Sequence, residues 1–145
     1  MKSLKLLFAF CFFIPFLSFA QTNFNKGYVV NLQGDTTRGY IDFKQWGFTP
    51  KSIIFKETLT GSSKKIEPKN VTAFGINGFV YYKSAGVKIS QGEEIIDRLT
   101  TEADTTTIFD NIFLKLVLSG DKVNLYSFKD SKKERFYVSE SNGTP

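Results

Sequence analysis

Histidine is absent from this 145-residue chain, and cysteine occurs once, at Cys11. Without histidine there is no Ser-His-Asp or Cys-His nucleophile, no imidazole acid–base group, and few of the usual zinc, copper or iron ligand sets. No Walker-type phosphate loop, GxSxG elbow or GxGxxG turn occurs either. The sequence therefore predicts a non-enzymatic protein with no catalytic residue, no metal ligand and no cofactor. Long apolar runs are also lacking, with one exception at the start of the chain.

That exception is MKSLKLLFAFCFFIPFLSFAQ. Lys2 and Lys5 give a positive n-region, and Leu6 to Phe19 is almost wholly apolar. Ser18 and Ala20 place small residues at the two positions a signal peptidase reads. The apolar run is about 14 residues and is interrupted by Pro15, whereas a spanning helix needs roughly 20. Cys11 lies inside the run, where it cannot serve as a lipoprotein cysteine. The expectation is a cleaved signal peptide at 1–20, a single β-rich domain at 21–140 and a flexible tail at 141–145. No membrane span is expected after cleavage. The protein is then exported and periplasmic, outer-membrane associated or extracellular.

Cleavage removes the only cysteine, so the exported domain must hold together through its core and not through disulfides. About 125 residues is enough for one such core. The formal charge of +5 includes Lys2 and Lys5, which leaves the domain near +3. Its basic residues are scattered. The pairs Lys64-Lys65 and Lys132-Lys133 sit in turn-like sequence and read as solvated, with no nucleic-acid partner expected.

What is present is β pattern. Tyr28 to Leu32 and Arg38 to Phe43 flank Gln33-Gly34-Asp35-Thr36 as a hairpin. Ser52 to Lys56 is a third strand, Lys65 to Glu67 a short paired segment, and Pro68 to Val71 a bend or single helical turn. Thr72 to Ile76 and Phe79 to Lys83 enclose Asn77-Gly78, which predicts a type I′ turn with positive φ at both residues. Val87 to Ile89 reads as a further strand. Glu93 to Leu99 has the pattern of a short amphipathic helix, and Thr100 to Thr107 that of a loop. Ile112, Leu114, Leu116 and Leu118 fall at period two and predict a central strand. Lys122 to Phe128 and Arg135 to Ser139 complete a meander. The fold class is all-β, or β-rich α+β. The architecture is an antiparallel sandwich or partly open barrel of about seven to nine short strands, with at most one short helix.

Aromatic residues are the one excess. Of sixteen Phe, six precede Gln21, so the exported domain keeps ten, with six Tyr and the single Trp46. The candidate ligand-binding residues are Trp46, Tyr82, Tyr126 and Tyr137, with Tyr40, as a stacking platform. The competing expectation is that these rings build the core and cross-strand pairs. Trp46 then plugs the end of the sheet. In the first hairpin, either Tyr28, Val30 and Leu32 or Ile41 and Phe43 should lie in the core. Glu93, Glu94 and Asp97 are the densest acid cluster, and Asp104 and Asp110 lie among threonines without calcium-loop spacing.

The stretch GYVVNLQGDTTRGYIDFKQW, followed by IIF, AFGI and LKLVLSGDKVNLYSF, resembles a group of exported β-rich domains from Bacteroidetes-type bacteria. Their recurring pattern is G-Y-I-V-x-x-x-G-D-T-x-x-G-x-I-D-x-x-x-W after a signal peptide. Gly27, Tyr28, Gly34, Asp35, Thr36, Gly39, Ile41, Asp42 and Trp46 match it. In some members the domain precedes an outer-membrane β-barrel. The resemblance implies a cell-envelope location and transfers no catalytic residue. The expected role is an envelope module that binds a protein or glycan partner or serves structurally. The alternative is a carbohydrate-binding or carboxylate-dependent carbohydrate-active domain.

Overall fold

The computed structural model describes residues 23–92 and 105–141. The signal-peptide reading, the Glu93–Leu99 helix reading and the tail beyond residue 141 lie outside them. Nine strands are described: β1 Phe24–Val30, β2 Thr36–Asp42, β3 Ile53–Lys56, β4 Lys64–Ile66, β5 Ala73–Ile76, β6 Val80–Ser90, β7 Thr107–Ser119, β8 Val123–Lys129 and β9 Glu134–Glu140. They form one open antiparallel sheet in the order β4-β3-β2-β1-β5-β6-β7-β8-β9. The all-β expectation is met at the upper end of the strand count. Among the described residues the one helical piece is a 3-10 turn at Pro68–Asn70, where a bend or helical turn was expected.

Two strands are not short. β6 has 11 residues and β7 has 13. The β7 strand begins at Thr107, inside the polar stretch read as loop, and its first five residues are exposed. The register runs unbroken from Ser90–Thr107 to Tyr82–Lys115. Backbone pairing with β6 holds this end in the sheet, so side-chain polarity there carries no strand signal.

Neighbouring side chains on a strand point to opposite faces, and the registers carry that parity across the sheet. On one face lie Val29, Ile41, Phe55, Ile53, Phe74, Ile76, Tyr82 and Phe113, which with Val71 form a buried cluster. On the other face lie Ile89, Ile112, Leu114 and Tyr126, a second buried cluster, with Tyr81, Leu116, Phe128 and Tyr137 packed against it. The β6–β7 ribbon thus has a core on each side. Phe113 feeds one, and its chain neighbours Ile112 and Leu114 feed the other.

The sheet rolls to cover both cores. β9 reaches back over β6 although β7 and β8 separate them in the sheet. The Arg135 guanidinium donates to the Ser90 carbonyl from Nη2 at 2.6 Å and from Nε at 3.0 Å. The Tyr137 hydroxyl donates to the Lys88 carbonyl at 3.3 Å. On the other side, the segment after β2 brings Trp46 onto the first core, edge to face with Phe74, Tyr82 and Phe43 at 6.1, 6.0 and 5.1 Å. That segment is fastened to the end of β8: the Thr49 N–H donates to the Lys129 carbonyl, and the Lys129 N–H to Thr49 Oγ1.

In the first hairpin the buried set is Ile41 with Phe43 packed beside it, as one of the two expected alternatives had it. Tyr28 and Val30 point to the opposite face, and Leu32 is exposed in the turn. Two expectations are corrected. The Asn77-Gly78 turn has positive φ at Gly78 alone, 76°, and Gln45 is the one described non-glycine residue with positive φ. The Phe79 N–H donates to the Ile76 carbonyl. A single positive φ at the third position is the type II pattern, not type I′. The period-two run in β7 is also broken. A bulge between Leu116 and Leu118 turns Leu118 out of the second core, where it is 64% exposed.

Candidate functional site

The glycines of the first hairpin come into close backbone packing, not a ligand cradle. Gly27 pairs with Gly39 across β1–β2. A β-carbon on Gly27 would run into the Gly75 carbonyl oxygen, and one on Gly39 into the Lys56 carbonyl oxygen and the Phe55 ring. Gly34 takes a φ of 93° in the connecting turn. The Asn31 side chain organises that turn, with its Oδ1 accepting from the Gln33 and Asp35 N–H groups at 2.9 Å each.

Gly75 works on the other face. A β-carbon there would fall 2.6 Å from the Tyr28 ring, so the missing side chain lets that ring lie across β5. The consequence is a row of side chains across the sheet. Arg38 pairs with Tyr28, Tyr28 with Gly75, and Gly75 with Tyr81. One step past the Tyr82–Lys115 pair the row meets Leu116, which pairs with Tyr126, and Tyr126 pairs with Tyr137.

Because the sheet rolls, this row forms the floor of a groove of about 1180 Å³. Tyr28, Ala73, Tyr81 and Lys83 line one side, and Tyr126, Asn124 and Ser139 the other. A second hollow of about 600 Å³ continues past Tyr28 to Lys26, Arg38 and Tyr40, sharing Tyr28 and Thr36 with the first. Burial raises the pKa of the Tyr81 phenol, and so do the nearby phenols of Tyr126 and Tyr28. All three residues line the groove. None of their hydroxyls has a hydrogen-bond partner among the described residues, whereas Tyr137 is tied to Lys88.

The charge of the groove is lopsided. Lys26, Arg38 and Lys83 are exposed, and none of them takes part in the five ion pairs among the described residues. Of the two carboxylates lining it, Glu57 is held by Lys64 at 2.9 Å. Glu140 stands at the opposite end, beside β9.

The four candidate ligand-binding residues do not form one platform. Trp46 and Tyr82 belong to the first core, and Tyr126 and Tyr137 to the second face. Tyr82 is 4% exposed and stacks on Phe74 at 4.8 Å with an interplanar angle of 12°. Burial pushes its phenol pKa up to about 12. Trp46 is half-buried. Tyr40 lies on the groove side, opposite Lys26. Tyr28 and Tyr81, absent from the candidate set, are the residues the groove is built on. The adjacent pair Tyr81-Tyr82 held the signal, since a strand must send the two rings to opposite faces. No group of three or more carboxylates with metal-binding geometry occurs among the described residues. No helix among them is long and apolar enough to cross a membrane.

No family model matches the chain, and no curated protein and no solved structure matches it.

Proposed function

We propose that this protein is a non-enzymatic binding module of the bacterial cell envelope, and that the tyrosine-floored groove is its ligand face. The observation that carries the reading is that Tyr28, Tyr81 and Tyr126 line one groove, with three phenol hydroxyls that have no hydrogen-bond partner among the described residues. Apolar ring surface with a few convergent polar groups is what small-molecule and oligomer sites consist of. Tyr126 is itself buried in the second core and Tyr81 packs against it, so the ring surface left to a ligand is that of the half-buried Tyr28 and Tyr81. The envelope location rests on the reading of residues 1–20 and on the resemblance to exported Bacteroidetes-type domains.

The six tyrosines permit a direct test. A 3-fluorotyrosine-labelled domain gives six fluorine resonances, assignable by Tyr→Phe variants. Soluble polysaccharide and soluble peptide fractions from the envelope are then titrated in separately. Shifts at Tyr28, Tyr81 and Tyr126, with Tyr82 silent, support the proposal. Binding that leaves those three unmoved overturns the assignment of the face, and breakdown of the added polymer overturns the non-enzymatic reading.

A further inference from the structure

Taking the groove as the ligand face, the charge around it selects among ligands, and we infer that the ligand is an acidic sugar chain, one bearing carboxylate groups on its rings. Two features must be matched together. The first is the tyrosine floor. The half-buried Tyr28 and Tyr81 offer apolar ring surface for the C–H side of a sugar ring and a hydroxyl for its polar edge, while Tyr126 lines the groove from within the second core. Tyr28 and Tyr81 are two strands apart in the row, so their backbones stand about 10 Å apart. Two ring surfaces at that spacing suit successive units of a chain.

The second feature is the cations. Lys26 and Arg38 stand at the β1–β2 end, and Lys83 rises one residue pair along β6 from Tyr81. An unpaired cation on a surface is common. Three around one groove, where the one paired carboxylate is neutralised and the one free carboxylate is at the far end, give the face a positive field. Arg38 sits directly beside Tyr28 in the row, so a carboxylate on a sugar stacked at Tyr28 lies within reach of a planar guanidinium that binds carboxylates in two-point fashion. The neutral hydroxyl floor between the cations distinguishes this face from a phosphate-binding strip, which needs positive charge at every step.

The test uses the domain from Gln21 and three uronic-acid oligomers as probes: oligogalacturonate, oligoalginate and oligohyaluronate. Each is compared with its carboxyl-methyl-esterified form, which keeps the rings and removes the charge. Polyglutamate and single-stranded oligonucleotide supply charge without sugar rings. At least one uronic-acid oligomer is expected to bind about tenfold more tightly than its ester, with shifts at Tyr28 and Tyr81. Arg38→Gln and Lys83→Gln are each expected to remove about tenfold of that affinity at unchanged melting temperature, and raised salt to weaken it. Tyr81→Ala is expected to abolish the preference for sugar over polyglutamate. Equal binding of acid and ester, with the same tyrosine shifts, overturns the acidic class while leaving the groove as a sugar site. Equal or tighter binding of polyglutamate or oligonucleotide overturns the sugar. No binding by any of the three acids overturns the inference as stated, and binding of other envelope material at these tyrosines would then leave the ligand face standing alone.

Discussion

The Tyr28 ring lies across the α-carbon of Gly75, in the space a side chain on β5 would fill. This contact sets up an informative contrast between glycines. At Gly75 a methyl group meets the outer atoms of a side chain that can swing away. At Gly39 it meets backbone, the Lys56 carbonyl, and a core ring, Phe55. Gly39→Ala is therefore expected to cost about 1–3 kcal/mol in urea denaturation, the range for overpacked sites. Gly75→Ala is expected to cost less than Gly39→Ala while moving the Tyr28 fluorine resonance and weakening ligand binding. Equal stability losses at the two sites would contradict the geometry.

Arg135 fastens one curl of the sheet. The residue is 8% exposed, and its guanidinium holds the Ser90 and Lys133 carbonyls and the Asp130 carboxylate, the last at 3.1 Å. Arg135→Met is expected to cost about 3 kcal/mol, because the carboxylate and the Ser90 carbonyl lose their partner. Arg135→Lys should recover little of it, since one ammonium cannot span three acceptors. Chemical denaturation of the two variants measures both effects.

Asp130 adds a pH dependence. Burial raises its pKa, but N–H donors from Lys133 and Lys132 and the Arg135 guanidinium outweigh that and hold it below the ordinary carboxylate value of 3.8. A lowered folded-state pKa contributes stability above the unfolded value, lost as pH falls through the folded one. The domain should therefore lose stability below about pH 4, and Asp130→Asn should flatten that limb. Tyr82 acts at the opposite extreme. Burial puts its pKa at about 12, above the ordinary phenol value of 10.0. Its contribution is whole below the unfolded value and is lost as pH rises through the folded one, which alkaline melts of Tyr82→Phe and the parent will show.

At the hairpin of β5 and β6, only Gly78 has a positive φ. Gly78→Val is expected to cost about 1 kcal/mol or more, because a β-branched residue is strained there. Asn77→Val is expected to cost less, since Asn77 has no positive φ to defend. A type I′ turn would penalise both substitutions, so the pair of melting temperatures separates the two geometries.

Trp46 is half-buried against Phe74 and Tyr82, on the face opposite the groove. Trp46→Ala should cost about 2–3 kcal/mol, short of the range for a fully enclosed ring. Its fluorescence, the only tryptophan signal in the chain, should stay fixed when ligand shifts the tyrosines. An emission change that tracks ligand would place the site on the wrong face.

Export is checked by mass. Intact protein from the envelope should weigh as a chain beginning at Gln21, and recovery of a chain that still carries Met1 would exclude cleavage.

Strands with regular alternation were legible in the sequence, as Ile41 and Phe43 show. The start of β7 was not, because Asp110 and Asn111 are held by pairing with β6, which leaves no trace in side-chain pattern. Leu118 looked like a core residue because a bulge cannot be read from period two. The groove was hidden for another reason. Tyr28 and Tyr81 meet only because β5 pairs with β1 across more than forty residues of chain. Local pattern could place each tyrosine on a face but could not say which strands stand side by side.

The β6–β7 ribbon, with a packed cluster on either side, is locked against sliding. In a sheet with one wet face, a one-residue slip costs one core. Here the same slip would send Phe113 into the cluster built for Ile112 and Leu114, and those two into the space shaped around Phe113. Both halves of the molecule would lose their fit at once. Pairing errors in this ribbon during folding thus have no compact misregistered state to settle into, and the two halves should melt as one cooperative unit.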